Sequence, residues 1–293
     1  MSFISPELLA ARPKTLPAAI VPVWLGCVLA WKLTGTIDWV LAGCTLGGAL
    51  CIQIATNFFN DAIDHRKGAD TADRVGPTRV TASGLMSPER VMRWAMVFCL
   101  AASVFGAVLV MARGWPILAI GIPSLLLAYG YTGGPFPLAY RGLGELFVVL
   151  FFGWIAVAGT VFVQTGIWSG EAILLGTQVG LLSAVLISVN NLRDRAEDAT
   201  TGKRTLAVRL GPRYAIAIVW LEVKLAGFLG LGWMAFDLPY FAIASVPVFL
   251  IGLRILWGLL TMPPGPAMNR LLALGAAQLV FFAAAFHIIA VMR

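Results

Sequence analysis

Two short stretches of this sequence place amide and carboxylate side chains where a helix would ordinarily carry an apolar stripe. In the first, Asn57, Asn60, Asp61 and Asp64 fall at i, i+3, i+4 and i+7, with Gln53 one turn earlier. That spacing puts them on one helical face. Asp70 and Asp73 follow. In the second, Asn190, Asn191, Asp194 and Asp198 repeat the arrangement, so Asn60-x-x-x-Asp64 and Asn190-x-x-x-Asp194 are one pattern met twice. Like charges one helical turn apart repel, and such pairs call for a cation. Hard oxygen ligands without His or Cys suit Mg²⁺, which binds through a few carboxylates together with substrate phosphate oxygens. The expected ligand set is Asn60, Asp61, Asp64, Asp70, Asn190, Asn191, Asp194 and Asp198, with Asp61, Asp64, Asp194 and Asp198 in the catalytic role.

Basic residues stand beside both clusters: Arg66 and Lys67 after the first, Arg193 within the second, and Lys203 and Arg204 after it. A phosphate bridged to metal on one side and clamped by Lys and Arg on the other is a leaving-group site, here for a diphosphate. The competing reading, solvated helix ends, suits one such cluster better than two matched ones. Tyr131-Thr132-Gly133-Gly134 would either close over a bound ligand or simply stop a helix. Arg12 and Lys14 precede the first apolar stretch. They would pair with the carboxylate of an acceptor, or serve only as topological charge. His65 adjoins the first cluster, and Asp38 and Asp237 read as helix caps.

The elements that carry these residues follow from composition. Of 293 residues 59% are hydrophobic and 12% charged, with a mean hydropathy of +0.87. A soluble domain has about a quarter charged residues, so the solvent for most of this surface is a lipid bilayer. A span needs about 20 mostly apolar residues. Segments 16–34, 39–59, 91–112, 115–133, 143–163, 171–189, 214–235, 240–259 and 268–291 qualify, within one polytopic domain over 1–293. With the N-terminus placed in the cytoplasm, only Lys32, Arg113 and Arg293 of the 21 Lys and Arg fall on the outer side, and Lys224 and Arg254 lie within spans. This is the positive-inside pattern, with the C-terminus outside. It also disposes of a nucleic-acid partner as the meaning of the +7 charge. The long inner loops, 60–90 and 190–213, are where both acidic clusters lie. Cys27, Cys44, Cys51 and Cys99 sit in apolar stretches and read as inert thiols.

At these residues the sequence resembles the UbiA superfamily of intramembrane prenyltransferases. The first Asp-rich motif is matched by Asn60-Asp61-Ala62-Ile63-Asp64 continuing to Asp70, the second by Asn190-Asn191-Leu192-Arg193-Asp194 continuing to Asp198. Three further strings are similar to the branch acting on 1,4-dihydroxy-2-naphthoate. They are Ala11-Arg12-Pro13-Lys14-Thr15-Leu16-Pro17, Arg74-Val75-Gly76-Pro77-Thr78-Arg79 and Gly202-Lys203-Arg204-Thr205-Leu206-Ala207. Ala139 departs from relatives that carry Lys before the position of Tyr140. The resemblance implies an all-α membrane protein, a nine-transmembrane-helix bundle with two inner-face Asp-rich loops in the cytoplasmic membrane. It further implies Mg²⁺-dependent transfer from a polyprenyl diphosphate to 1,4-dihydroxy-2-naphthoate, with decarboxylation to a demethylmenaquinone. Within the superfamily 4-hydroxybenzoate, homogentisate, and haem or chlorin rings stay open as acceptors. A cation-coupled secondary transporter is the rival of another class, and it predicts carboxylates at the bilayer midplane rather than at inner span ends.

Overall fold

A computed structural model describes residues 5–70, 76 and 78–293. Asp73, Arg74, Val75 and Pro77 lie outside the described residues. The chain runs through α1 (Pro6–Ala11), α2 (Pro17–Thr34), α3 (Trp39–Arg66), α4 (Pro88–Arg113), α5 (Trp115–Gly130) and α6 (Gly144–Thr165). It continues through α7 (Gly170–Arg193), α8 (Arg195–Thr200), α9 (Leu206–Leu210), α10 (Pro212–Phe236), α11 (Pro239–Thr261) and α12 (Pro266–Met292). Among the described residues eight helices are long and apolar enough to cross a membrane. The ninth expected span, α5, is apolar but only 16 residues long. Large side chains on the outer surface are apolar and exposed, Met111, Trp39, Trp115 and Leu100 among them. With the span lengths, this makes the chain an integral membrane protein.

Helix starts are set by local capping. Asp38 accepts the N–H of Val40 and Leu41 at 2.9 and 3.0 Å, and Ser87 and Ser169 cap α4 and α7 in the same way. Asp237 instead closes α10, in a left-handed conformation at φ 58°. Two helices run further than hydropathy predicts. α3 extends to Arg66 rather than 59, and α7 to Arg193 rather than 189, so both acidic motifs begin on continuous helix.

α6 packs against α7 at backbone distance. The middle of α6, Val149–Ala158, is wound as a π-helix, and Gly153 presses on the backbone of Gly176 and Gly180. A Cβ on Gly153 would collide with the Gly176 carbonyl, which is why small residues are needed where membrane helices meet at backbone distance. The core between α2, α7 and α12 is filled by Leu25, Leu29, Leu175, Leu182 and Phe282. On its outer side Phe241 stacks on Phe286 with ring centroids 4.0 Å apart. Fully buried Gln178 donates to the Ala226 carbonyl at 2.9 Å and accepts from Trp233 Nε1 at 3.0 Å. This ties α10, behind α7, to the core with its polar groups satisfied.

Candidate active site

The last turns of α3 bring two carboxylates into contact with the loop that follows. Asp61, 1% exposed, accepts the backbone N–H of Val80 at 3.1 Å and of Thr81 at 3.0 Å, and its carboxylate also receives the Thr81 hydroxyl. Its carboxylate therefore organises the loop. Asp64, equally buried, accepts from Arg79 Nη2 at 2.9 Å, Lys203 Nζ at 3.1 Å and Tyr140 Oη at 2.8 Å. Arg79 reaches Asp70 as well, through Nε at 3.2 Å. This buried guanidinium thus spans two carboxylates of the first motif, while its Nη1 has no hydrogen-bond partner among the described residues.

Tyr140, on the turn between α5 and α6, links the two motifs. Its ring lies under Lys67 Nζ at 4.1 Å and Lys203 Nζ at 5.3 Å, and Lys203 belongs to the segment after the second motif. Burial, and the Asp64 carboxylate to which it donates, push the phenol well above its ordinary pKa. Tyr140 is therefore a fixed donor. Lys67 is held in turn by the Thr132 carbonyl at 2.7 Å, and the Thr132 hydroxyl donates to Asn60 Oδ1.

The second motif closes the end of α7. Arg193 donates from Nε and Nη2 to the two oxygens of Asp194, each at 2.6 Å, from Nη2 to Asn190 at 2.8 Å, and from Nη1 to Asn269 on α12 at 2.7 Å. Asn191 turns away from this group and donates to buried Glu145 at 2.9 Å. Asp198 is buried on α8, and its carboxyl accepts no hydrogen bond among the described residues. Burial raises its pKa to about 7; Lys203 opposes that rise, and Asp194, Glu197 and Asp64 add to it. The Lys203–Asp64 bond at 3.1 Å, which joins the segment after the second motif to the first, places the two motifs in one site.

Above the site lies a cavity of about 1830 Å³ bounded by α2 to α7 and α12. One end is polar, lined by Arg12, Lys14, Asn57, Asn60, Tyr131, Asn190, Arg193 and Asn269; the body is apolar, with Phe147, Phe151, Ile155, Leu118 and Leu125. Asn57 holds the N-terminal strap over that mouth, donating to the Ala11 carbonyl at 2.9 Å and Thr15 Oγ1 at 3.0 Å. The carboxylates stand behind the amides of Asn60 and Asn190, not on the cavity wall. The structure brings together Asn60, Asp64, Asp70, Lys67, Thr132, Lys203, Asp194, Asp198, Asn190 and Arg193. Two of the residues expected at the diphosphate are turned elsewhere. Arg66 is half-exposed and faces Glu89 of α4 at 3.6 Å. Arg204 has an exposed side chain and contributes its backbone N–H to the Tyr140 carbonyl at 3.2 Å. Arg79, Tyr140, Asn269 and Glu145 join the site from outside the two motifs, and a loop residue such as Arg79 has no periodicity to mark its role.

The donor set fits Mg²⁺, since every candidate ligand is an oxygen. Mg²⁺ takes one or two protein carboxylates and completes its shell from phosphate and water. Asp198 is open, and Asp64 and Asp194 now hold Lys and Arg charges that a cation and an anionic substrate would redistribute.

Fold and site together define an intramembrane enzyme for a substrate with an anionic head and a long apolar tail. A model of the UbiA prenyltransferase family matches residues 19–284. The chain is 41% identical over 203 residues to the 1,4-dihydroxy-2-naphthoate octaprenyltransferase of Mycobacterium tuberculosis, covering 69% of this chain and 68% of that one. It is 37% identical over 210 residues to the enzyme of the same name from Haemophilus influenzae, at 69% and 68% coverage. A UbiA homologue from Archaeoglobus fulgidus bound to GPP and Mg²⁺ shares the fold. Its TM-score is 0.62 at 15% identity, over 96% of this chain and 99% of that one. The chain belongs to the UbiA prenyltransferase family.

Proposed function

We propose that this chain transfers a polyprenyl group from a prenyl diphosphate to 1,4-dihydroxy-2-naphthoate with loss of the carboxylate. The product is the demethylmenaquinone skeleton at the quinol level. The observation that carries the reading is the meeting of the acidic ends of α3 and α7 at the polar mouth of one large apolar cavity. The relatives' shared naphthoate specificity supports the acceptor. In the reaction the allylic C–O bond breaks and its electron pair leaves with the diphosphate. A ring carbon of the naphthoate then attacks the allylic carbon, and the carboxylate leaves as CO₂, its bonding electron pair returning to the ring, so that the prenyl group replaces CO₂ with no net loss of a ring proton. Mg²⁺, when bound, neutralises the diphosphate and makes it a better leaving group; Asp64, Asp194 and Asp198 would hold it, with Asn60 and Asn190 at the mouth.

The remaining work falls to this chain's own side chains. Lys67, Lys203 and Arg193 stand where they can balance charge on the departing diphosphate. Tyr140 keeps the two lysines apart and aligned on its ring. The apolar chamber keeps water from the allylic cation, and its volume accommodates a long tail. Arg12 and Lys14 at the mouth are placed to meet the acceptor's carboxylate. We place this mouth on the cytoplasmic face of the cytoplasmic membrane, N-terminus inside and C-terminus outside, because nearly all Lys and Arg lie on that side. Membranes containing the chain, supplied with a labelled polyprenyl diphosphate, Mg²⁺ and each acceptor in turn, test the assignment. Product is expected with the dihydroxynaphthoate, and product only with 4-hydroxybenzoate or homogentisate would overturn it.

A further inference from the structure

Arg193 poses an exchange problem. Its guanidinium is 4% exposed and forks onto both oxygens of Asp194 at 2.6 Å. The fork takes a lone pair on each Asp194 oxygen, so the guanidinium and a divalent ion compete for the charge of one carboxylate. Where the ion wins that competition, the guanidinium swings as a rigid planar fork on the partners it keeps. Two partners do not depend on Asp194. Asn190 lies one turn back on α7. Asn269 lies at the start of α12, 76 residues away, and accepts from Nη1 at 2.7 Å. Asn190, Arg193 and Asn269 all line the cavity mouth, so the alternative position for the guanidinium is the space where the diphosphate would sit.

We propose that Asn269 is a positioning residue, the pivot on which Arg193 turns from Asp194 toward the substrate's diphosphate. The inference rests on the Mg²⁺–diphosphate reading of the site. The side chain at 269 sets the balance by its charge. A neutral amide holds the guanidinium loosely enough for either partner to compete, whereas a carboxylate there would form a stronger, charge-assisted bond. Asn269 is itself an exposed residue, so substitutions there are compatible with folding.

The test uses Mn²⁺ as the probe, with free Mn²⁺ counted by electron paramagnetic resonance in the detergent-solubilised full chain without substrate. In Asn269→Ala, Arg193 loses a competing acceptor and settles on Asp194, so Mn²⁺ binding weakens by about fivefold. In Asn269→Asp, Arg193 is drawn off Asp194 and Mn²⁺ binding tightens by about tenfold, the scale of one charge-assisted hydrogen bond. KM for the prenyl diphosphate rises in both, because the guanidinium is no longer delivered. Opposite Mn²⁺ shifts on a wild type that binds the ion support the pivot. Shifts of one sign, or none, overturn it while leaving the metal reading intact. A wild type that binds no Mn²⁺, or an Asp194→Ala chain that binds as the wild type does, overturns both together.

Discussion

Arg79 offers the sharpest perturbation. Its guanidinium lies between Asp64 at 2.9 Å and Asp70 at 3.2 Å, with 5% of its side chain exposed and both carboxylates buried. Arg79→Met keeps most of the packing and removes the charge. Breaking a buried pair by deleting one partner costs about 3–5 kcal/mol, because the remaining charge stays desolvated. Asp64 keeps Lys203 and Tyr140, so the low end, about 3 kcal/mol, applies here. At roughly 2–4 °C per kcal/mol for a domain of a few hundred residues, the apparent Tm should fall by about 6–12 °C. Divalent metal should partly repair the loss. The variant's Asp64 no longer shares its charge with Arg79, and an ion at about 100-fold above its Kd returns roughly 2.7 kcal/mol. The assay is size-exclusion of the detergent-solubilised chain after graded heating, with and without Mg²⁺. A metal-free variant as stable as the wild type, or a gap that Mg²⁺ leaves unchanged, would refute the reasoning.

Further outcomes follow from neighbouring residues. Tyr140→Phe keeps the ring beneath Lys67 and Lys203 but removes the bond to Asp64, so kcat/KM should fall by about tenfold, the worth of one hydrogen bond to a charged group; Tyr140→Ala should fall further, and equal effects would show that the ring has no role. Because the Asp198 carboxyl titrates near 7 in the metal-free site and an ion binds only its deprotonated form, Mn²⁺ affinity should rise from pH 6 to pH 8, and a flat profile would contradict that placement. Arg66→Gln removes an exposed pair with Glu89, worth under about 1 kcal/mol. Its steady-state rate should stay within about twofold of wild type, and a large loss would return Arg66 to the diphosphate.

The bundle was legible because lipid imposes a length on every apolar segment, and the nine expected segments match the observed helices to within a few residues at most ends. The exceptions are physical. Hydropathy ends α3 and α7 where polar residues begin, yet backbone hydrogen bonding carries α3 past Asp64 to Arg66 and α7 past Asn190 and Asn191 to Arg193, one residue short of Asp194. The acidic faces were readable from i, i+3 and i+4 spacing. Sequence adjacency misled for Arg66, which lies two residues past Asp64, and residues at i and i+2 do not share a helix face. Asp61 shows the same limit. Spacing puts it beside Asp64, and only the loop's return at Val80 and Thr81 reveals what its carboxylate holds. Arg79, Tyr140 and Asn269 come from three separate segments, and no periodicity announces a residue whose partners lie tens of positions away.

The central claim is that both acidic helix ends serve one decarboxylating prenyl transfer. The most direct measurement supplies the reconstituted chain with Mg²⁺, a polyprenyl diphosphate and 1,4-dihydroxy-2-naphthoate labelled in its carboxyl group, counting released CO₂ against prenylated product. One CO₂ is expected for each product formed, with both lost in Asp64→Ala and in Asp194→Ala chains that still elute as folded protein. Product without CO₂ release, or full activity in either variant, would contradict it.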